Sequence, residues 1–456
     1  MDPMLLAILS GMFGLFCVGR EVALVIRTKR VRIQNLFLIM YGVTYGIVLS
    51  LLIIFEMNDI YRTSGRYLRF DYSDRGLTRA AWWFGAAVIG YIFFRFASAA
   101  CGKGKNYVFT YGGRRITQLP DPFRVEKMLS HLQSTSVLCL IIGIVSFYIW
   151  TSGWGGYMTL FENAAAIRDG SYGMKNPVAF FARPALLVTT VSMISVYLIN
   201  KKKNIFLNTV LFLISFTLSM MYYLANDGRM ALAMYLLIVI FMWIGLFEER
   251  EKGSTKKLVG LAVCFVVFVL VILNMDKLTY QLRNDAALEI EEEPLLDSIM
   301  DELAYIYVAG QTSVKHCLEN RGPLLIGHSL VRALFAWVPT SLTPKGLINV
   351  WDYNTDLISF GNAMAQYPTD MISSSLYDLG ILGPILMPAF WGVVIGKLER
   401  IANTNSGALN RVIYYSVAMV LVRAVNYGML AETVLSVFHI FVMAVVFWLI
   451  SHIKWR

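Results

Sequence analysis

The chain has 456 residues, 57% of them hydrophobic and 15% charged, with a mean hydropathy of +0.59 and a formal net charge of +10. Soluble domains carry about 25% charged residues, so this balance excludes an ordinary soluble enzyme and marks an integral membrane protein. The excess Lys and Arg is dispersed over "RTKRVR" 27–32, the stretch 103–127, "KKK" 201–203, "EEREKGSTKK" 248–257 and the final "KWR". That spacing follows the positive-inside rule for cytoplasmic loops and excludes nucleic acid as a partner.

In chain order, the N-terminus "MDPMLLAILSGMFGLFCVGREVALVI" lacks a basic leader and a small-residue cleavage site, so it is expected to remain as the first span. Further apolar runs predict helices near 33–55, 80–101, 133–152, 179–200, 204–225, 230–247, 258–275, 379–398, 412–428 and 430–452. The expectation is an all-α polytopic protein of about eleven transmembrane helices, one membrane domain over residues 1–456, with the N-terminus outside. Four segments then fall on the outer face: 56–79, 153–178, the turn Asn226–Arg229, and a large loop over 276–378. A connection that long is functional or disordered, and its aromatic and aliphatic content argues for order. Leu296, Met300, Leu303, Tyr307 and Val314 have helical spacing, and "LLIGHSLVRALFAWVPTSLTP" suits a surface segment with Trp337 at the headgroups. No internal repeat of the inverted-transporter kind is visible.

The five cysteines and five histidines form neither a disulfide framework nor a metal-ligand spacing, and no HExxH, Walker or Rossmann loop or D-x-D is present. What stands out is a set of arginines at the outer ends of spans: Arg168, Arg183, Arg229, Arg332 and Arg423. An arginine within a membrane helix costs about 2.5–3.5 kcal/mol on insertion scales, so such residues face a cavity, a partner or the headgroups. A guanidinium fork suits a phosphate or pyrophosphate. The bland alternative is snorkelling for Arg229 and ordinary loop charge for Arg168 and Arg332. Arg20, with Glu21 beside it, and Arg95 are expected to be structural. Among outer carboxylates (Glu56, Asp59, Asp227, Asp352, Asp356, Asp370, Asp378 and Glu432), Asp370 in "YPTDMISSSLYDLGILG" is the candidate base, with Asp378 as cap or contact.

Several short motifs resemble, in order, those of the oligosaccharide repeat-unit polymerases (the Wzy, or O-antigen polymerase, family), with the enterobacterial common antigen polymerase type the most similar. They are "FENAAAIRDGSYG…FFARPALL", "NDGRMALAM", "LVRALFAWVPTSLTP", "YPTD…LYDLGILG" and "VRAVNYG". The resemblance implies a GT-C-like glycosyltransferase of the bacterial plasma membrane, with its active site on the periplasmic or exterior face. It would move a growing glycan from undecaprenyl pyrophosphate onto the nonreducing end of a new lipid-linked unit, without metal or nucleotide cofactor. It implies Asp370, Arg229 and Arg332 as catalytic residues and Arg168, Arg183, Arg423, Tyr367 and Asp378 as substrate-binding ones. The partners implied are the lipid-linked donor and acceptor, membrane lipids, a chain-length regulator and a flippase. The chain departs from related O-antigen ligases in having no histidine shortly before Gly380 and Gly383, where it has Thr369 and Asp370. The alternatives are a flippase for the same lipid, an O-antigen ligase, or a transferase using a lipid-monophosphate sugar. For the last, Glu56 and Asp59 would supply the early acidic residues.

Overall fold

The computed structural model describes residues 2–28, 31–56, 61–63, 66–102, 122–163, 179–199, 204–225, 232, 235, 236, 239, 240, 295–338, 342–359, 367–404 and 408–452. Its helices are α1 (Pro3–Thr28), α2 (Ile33–Gly42), α3 (Leu49–Ile54), α4 (Asp74–Gly102), α5 (Pro122–Ser152), α6 (Tyr157–Glu162), α7 (Ala179–Ile199) and α8 (Ile205–Ala225). After the large outer segment begins, they continue as α9 (Leu295–Val314), α10 (His328–Leu334), α11 (Val350–Ser359), α12 (Met371–Leu379), α13 (Gly383–Thr404), α14 (Ala408–Arg423) and α15 (Leu430–His452). Among the described residues, seven helices are long and apolar enough to cross a membrane: Pro3–Thr28, Ile33–Ile54, Asp74–Cys101, Leu129–Ser152, Ile205–Ala225, Met371–Ile401 and Leu430–Ile450. By length and composition, the chain is an α-helical membrane protein.

Local chemistry explains where the elements depart from expectation. The segment 56–79 holds two short strands, β1 (Tyr61–Thr63) and β2 (Arg66–Leu68), paired antiparallel with Tyr61 opposite Leu68, so the fold is not wholly helical. The span expected at 379–398 begins earlier, at Met371, because Asp370 caps α12. Asp378 therefore lies within a helix and not in the preceding loop. At Gly380 the backbone turns to φ 59°, a conformation that favours glycine, and a single 3-10 turn leads into α13. The span expected at 412–428 stops at Arg423, where the chain turns through Ala424–Gly428 to meet residues ahead of α12. The spans expected at 230–247 and 258–275 fall almost wholly outside the described residues.

The chain divides into two compact units. The first comprises Met1–Asn106, Glu292–Asn403 and Ala418–Val437; the second comprises Tyr107–Glu291, Thr404–Val417 and Phe438–Arg456. In the first unit α1 packs along α2, α3 and the π-helical stretch Val43–Val48 between them, while α9 packs on α4 and α12. Large aromatics fill the interior: Phe37 stacks on Phe94 at 4.8 Å between centroids, and Trp83 lies 5.1 Å from Tyr45 and 5.6 Å from Tyr307. Their polar tips are satisfied, as buried tyrosine and tryptophan require. Tyr307 donates to the Thr44 carbonyl at 2.6 Å, Tyr41 to the Ala87 carbonyl at 2.6 Å, and Trp83 Nε1 to Ser373 Oγ at 3.0 Å. Arg79 of α4 meets Glu319 through two bonds of 2.7 Å, a bidentate fork.

In the second unit α5 packs on α7, and α7 on α8. Polar bonds cross between these apolar helices, as small and polar residues do in membrane bundles. Gln133 Nε2 donates to Asn208 Oδ1 at 2.6 Å, and Thr190 and Tyr235 share a hydroxyl bond of 2.9 Å.

Candidate functional site

Two of the sequence motifs come together through their main chains in the first unit. Met371 N donates to the Val425 carbonyl at 3.0 Å, and Gly428 N donates to the Thr369 carbonyl at 2.7 Å. The turn after α14 is thereby bonded to the start of α12. Gly428 is required there, since a Cβ would strike the Asp370 and Met371 main chain. Asn426 Oδ1 accepts from Thr44 Oγ1 at 2.7 Å, so the π-helical stretch braces the same turn.

Asp370 is completely enclosed at this junction. Its Oδ1 accepts from Ile372 N at 2.8 Å, Ser373 N at 3.0 Å and the Tyr45 hydroxyl at 2.9 Å, and its Oδ2 accepts from Ser373 Oγ. Burial pushes the carboxyl up to about 6, although the bonds from Ser373, Tyr45 and Ile372 pull the other way. The carboxylate expected to serve as general base is thus also an N-cap, with both oxygens engaged by described residues.

Arg423, the last residue of α14, is held differently. Its guanidinium lies over the Tyr427 ring, 4.4 Å from the centroid. Nη1 reaches Ser436 Oγ at 3.4 Å and Nη2 reaches Glu432 Oε1 at 3.4 Å, both long for charge-assisted bonds. Nε is buried and has no hydrogen-bond partner among the described residues. Trp351 packs on the same Tyr427 ring at 5.8 Å between centroids, and its Nε1 is also buried without an acceptor among the described residues. Val420, Arg423, Tyr427, Glu432, Thr433 and Ser436 line a crevice too narrow to admit a water molecule, so a ligand there has to displace side chains, Glu432 first. Unpaired buried donors around a guanidinium favour an anionic or oxygen-rich ligand, because leaving a buried donor unsatisfied costs about 1–3 kcal/mol.

Arg332 sits on α10, half-buried, with Nη1 donating to the Leu347 carbonyl at 3.3 Å. His328 lies one turn earlier on the same face. Its Nδ1 accepts from Ile348 N at 3.1 Å, which leaves Nε2 as the protonated nitrogen and a donor in the neutral ring. Asp378 Oδ1 accepts from Ser329 N at 3.4 Å, so the far end of α12 anchors α10. The outward side chains of this segment, Ile326, Leu330 and Leu334, are exposed and apolar, and Trp337 Nε1 donates to the Val434 carbonyl at 2.9 Å.

Tyr367 is buried at the start of the junction, where its amide donates to Thr355 Oγ1 at 2.8 Å. Arg183 belongs to the second unit, where its Nε donates to the Tyr223 hydroxyl at 3.3 Å. Arg168 and Arg229 lie outside the described residues. The structure therefore brings Asp370, Asp378, Tyr367, Arg332 and Arg423 around one short helix, and it adds Tyr45, Trp351, Tyr427 and Glu432. Of these, only the Asn426-Tyr427-Gly428 turn carried a local signal, through its Asn and Gly.

Compared with known proteins, the chain matches no protein-family model, no curated sequence and no solved structure.

Proposed function

We propose that this chain is a membrane glycosyltransferase that polymerises undecaprenyl-pyrophosphate-linked oligosaccharide repeat units. In this reading it is a GT-C-like bundle of about eleven spans in a bacterial plasma membrane, working at the outer face. The observation that carries the reading is Arg423: a guanidinium at a rigidly bonded turn, with loose internal contacts and a buried Nε unpaired among the described residues. A second basic group, Arg332 with His328, is anchored to the opposite end of α12, a helix of 9 residues and so about 13 Å long. Two separate basic sites suit a reaction in which donor and acceptor each bring a pyrophosphate.

In the proposed step the terminal hydroxyl of the acceptor unit attacks the anomeric carbon of the donor glycan. A new glycosidic C–O bond forms, and the bond from that carbon to the pyrophosphate oxygen breaks, its electron pair leaving with the pyrophosphate. The hydroxyl proton passes to the departing pyrophosphate, since Asp370 is committed to its cap. Arginine donors aimed at the leaving oxygens stabilise charge that grows in the transition state. In the sequence reading, Arg168, Arg183 and Arg229 are further candidates for binding substrate phosphate.

The test is purified protein with a synthetic undecaprenyl-pyrophosphate repeat unit, comparing wild type with Arg423→Ala, Arg332→Ala and Arg229→Ala. A ladder of longer glycans that disappears in the variants, with melting behaviour unchanged, supports the reading. Monomer that changes leaflet without lengthening refutes it in favour of a flippase.

A further inference from the structure

Away from α12, the first unit buries one carboxylate between helices long enough to span a membrane. Glu21 of α1 is 1% exposed. Its Oε2 accepts from Asn35 Nδ2 at 2.6 Å. Its Oε1 is shared by two guanidinium groups, 3.6 Å from Arg20 Nη1 and 3.4 Å from Arg95 Nη1. Arg20 Nη1 also donates to the Tyr91 hydroxyl at 2.9 Å. Two positive charges thus face one negative charge, and the cluster carries a net charge of +1.

Each guanidinium has five donors, and the bonds above use only Nη1 of each. The remaining donors have no partner among the described residues and are accessible, with the side chains 35% exposed for Arg20 and 27% for Arg95. The surface around them is apolar. Phe16, one turn before Arg20, and Ile92 and Phe96, beside Arg95, are all exposed, Phe96 to 72%. Arg20 lies eight residues short of the end of α1 and Arg95 seven short of the end of α4, distances of about 10–12 Å. Lipid phosphates reach that depth where helices project two turns beyond a leaflet. An uncompensated cation at such a position favours an anion that the bilayer itself can supply.

We propose that Arg20 and Arg95 form a binding site for the phosphate of an anionic phospholipid, with Glu21, Asn35 and Tyr91 holding the two forks in place. Phe16, Ile92 and Phe96 then lie against the acyl chains. Glu21 satisfies half of the basic charge and leaves the other half for the lipid. The site is independent of the reaction proposed above.

The experiment is native mass spectrometry of the full chain in neutral detergent, with added phosphatidylglycerol, phosphatidylcholine or inorganic phosphate, followed by thermal melting of each mixture. Phosphatidylglycerol is expected to bind at least tenfold more tightly than phosphatidylcholine, and Arg20→Ala/Arg95→Ala to abolish that preference. Because removing both arginines strands Glu21 and risks misfolding, Glu21→Gln serves as the second variant: it is expected to tighten phosphatidylglycerol binding several-fold. Equal binding of the two lipids by wild type would leave only ordinary snorkelling and overturn the proposal. So would a preference that survives in a folded double-arginine variant, or a Glu21→Gln variant with unchanged affinity. Displacement of the lipid by millimolar inorganic phosphate would overturn the assignment to a lipid headgroup.

Discussion

Glu432 is the only carboxylate bonded to Arg423 among the described residues, and replacing it by glutamine isolates what that carboxylate does. It keeps the shape of the side chain and removes the charge 3.4 Å from Nη2. Coulomb attraction at that distance is about 5 kcal/mol at an effective dielectric constant of ~20, an upper bound for a pair near the surface. The side chains are 17% and 25% exposed, and the bond is long, so solvent screening reduces this to about 1–2 kcal/mol. A phosphate that takes the Nε and Nη2 edge of Arg423 must displace Glu432 and forfeit that energy. Removing the charge returns it, so Glu432→Gln is expected to bind a prenyl pyrophosphate about tenfold more tightly than wild type, the equivalent of ~1.4 kcal/mol. Titration of farnesyl pyrophosphate into the detergent-solubilised protein, read by calorimetry, measures this directly. Arg423→Ala should lose the binding, and Glu432→Gln should have no further effect in that background. The reasoning fails if Glu432→Gln weakens binding as much as Arg423→Ala while the melting temperature is unchanged, because Glu432 would then be orienting the arginine and not competing with the ligand.

Three further outcomes follow from the same geometry. Asp370→Asn keeps an N-cap acceptor and should retain most polymerising activity, whereas a general base at this position would be lost; Asp370→Ala should cost about 2 kcal/mol or more through the lost cap and the lost bonds from Tyr45 and Ser373. Because burial raises the folded carboxyl from 3.8 to about 6, the folded state holds this proton more tightly than the unfolded state. Its contribution therefore favours folding below pH 3.8 and is lost as pH rises to about 6, by about 3 kcal/mol; thermal melts from pH 4 to 7 should show that slope flattened in Asp370→Asn. Gly428→Ala should destabilise by about 1–3 kcal/mol, since the added Cβ meets main chain that cannot move aside, and a variant that melts like wild type would contradict the bonded junction. Finally, Arg79 donating to Glu319 holds that carboxyl below its usual range, so the fork contributes stability at neutral pH that is lost as pH falls through the lowered value. Glu319→Gln should lower stability by about 1 kcal/mol, given that Glu319 is 43% exposed, and should remove that acid sensitivity.

Long apolar runs were readable because a helix across a bilayer must satisfy its backbone internally and show lipid apolar side chains. That made seven of the expected spans legible, most at nearly the right bounds and one starting eight residues early at Met371, and the periodicity of Leu296 through Val314 located α9. The site was less legible. Asp370 looked like a base because an isolated carboxylate at the edge of a span is unusual. Its position directly before α12, two residues after Pro368, was equally an N-cap signature. The bond that helps enclose it comes from Tyr45, 325 residues away in sequence, and no local pattern announces that bond. The early end of α14 was partly visible in Asn426 and Gly428, but an apolar helix pattern ran through them, and only the pairing with Thr369 and Met371 fixes the turn.

Two arginine–carboxylate pairs in the first unit show why geometry, and not residue type, separates framework from site. Arg79 and Glu319 form two bonds of 2.7 Å, every atom of the fork in place, and they join α4 to the residues after α9. A ligand would have to break both bonds at once. Arg423 and Glu432 touch through one 3.4 Å contact, with Nε unpaired among the described residues. The turn that bears Arg423 is nonetheless fixed by main-chain bonds to Thr369 and Met371 and by Asn426 to Thr44. A rigid backbone carrying an incompletely satisfied cation is the arrangement that charge stabilisation requires, because donors already in position need no reorganisation when charge develops. If Arg423 were only a membrane anchor, nothing would require the turn to be braced from two distant segments of the chain. Loosening that brace at Gly428 should then weaken pyrophosphate binding even where Arg423 itself is intact.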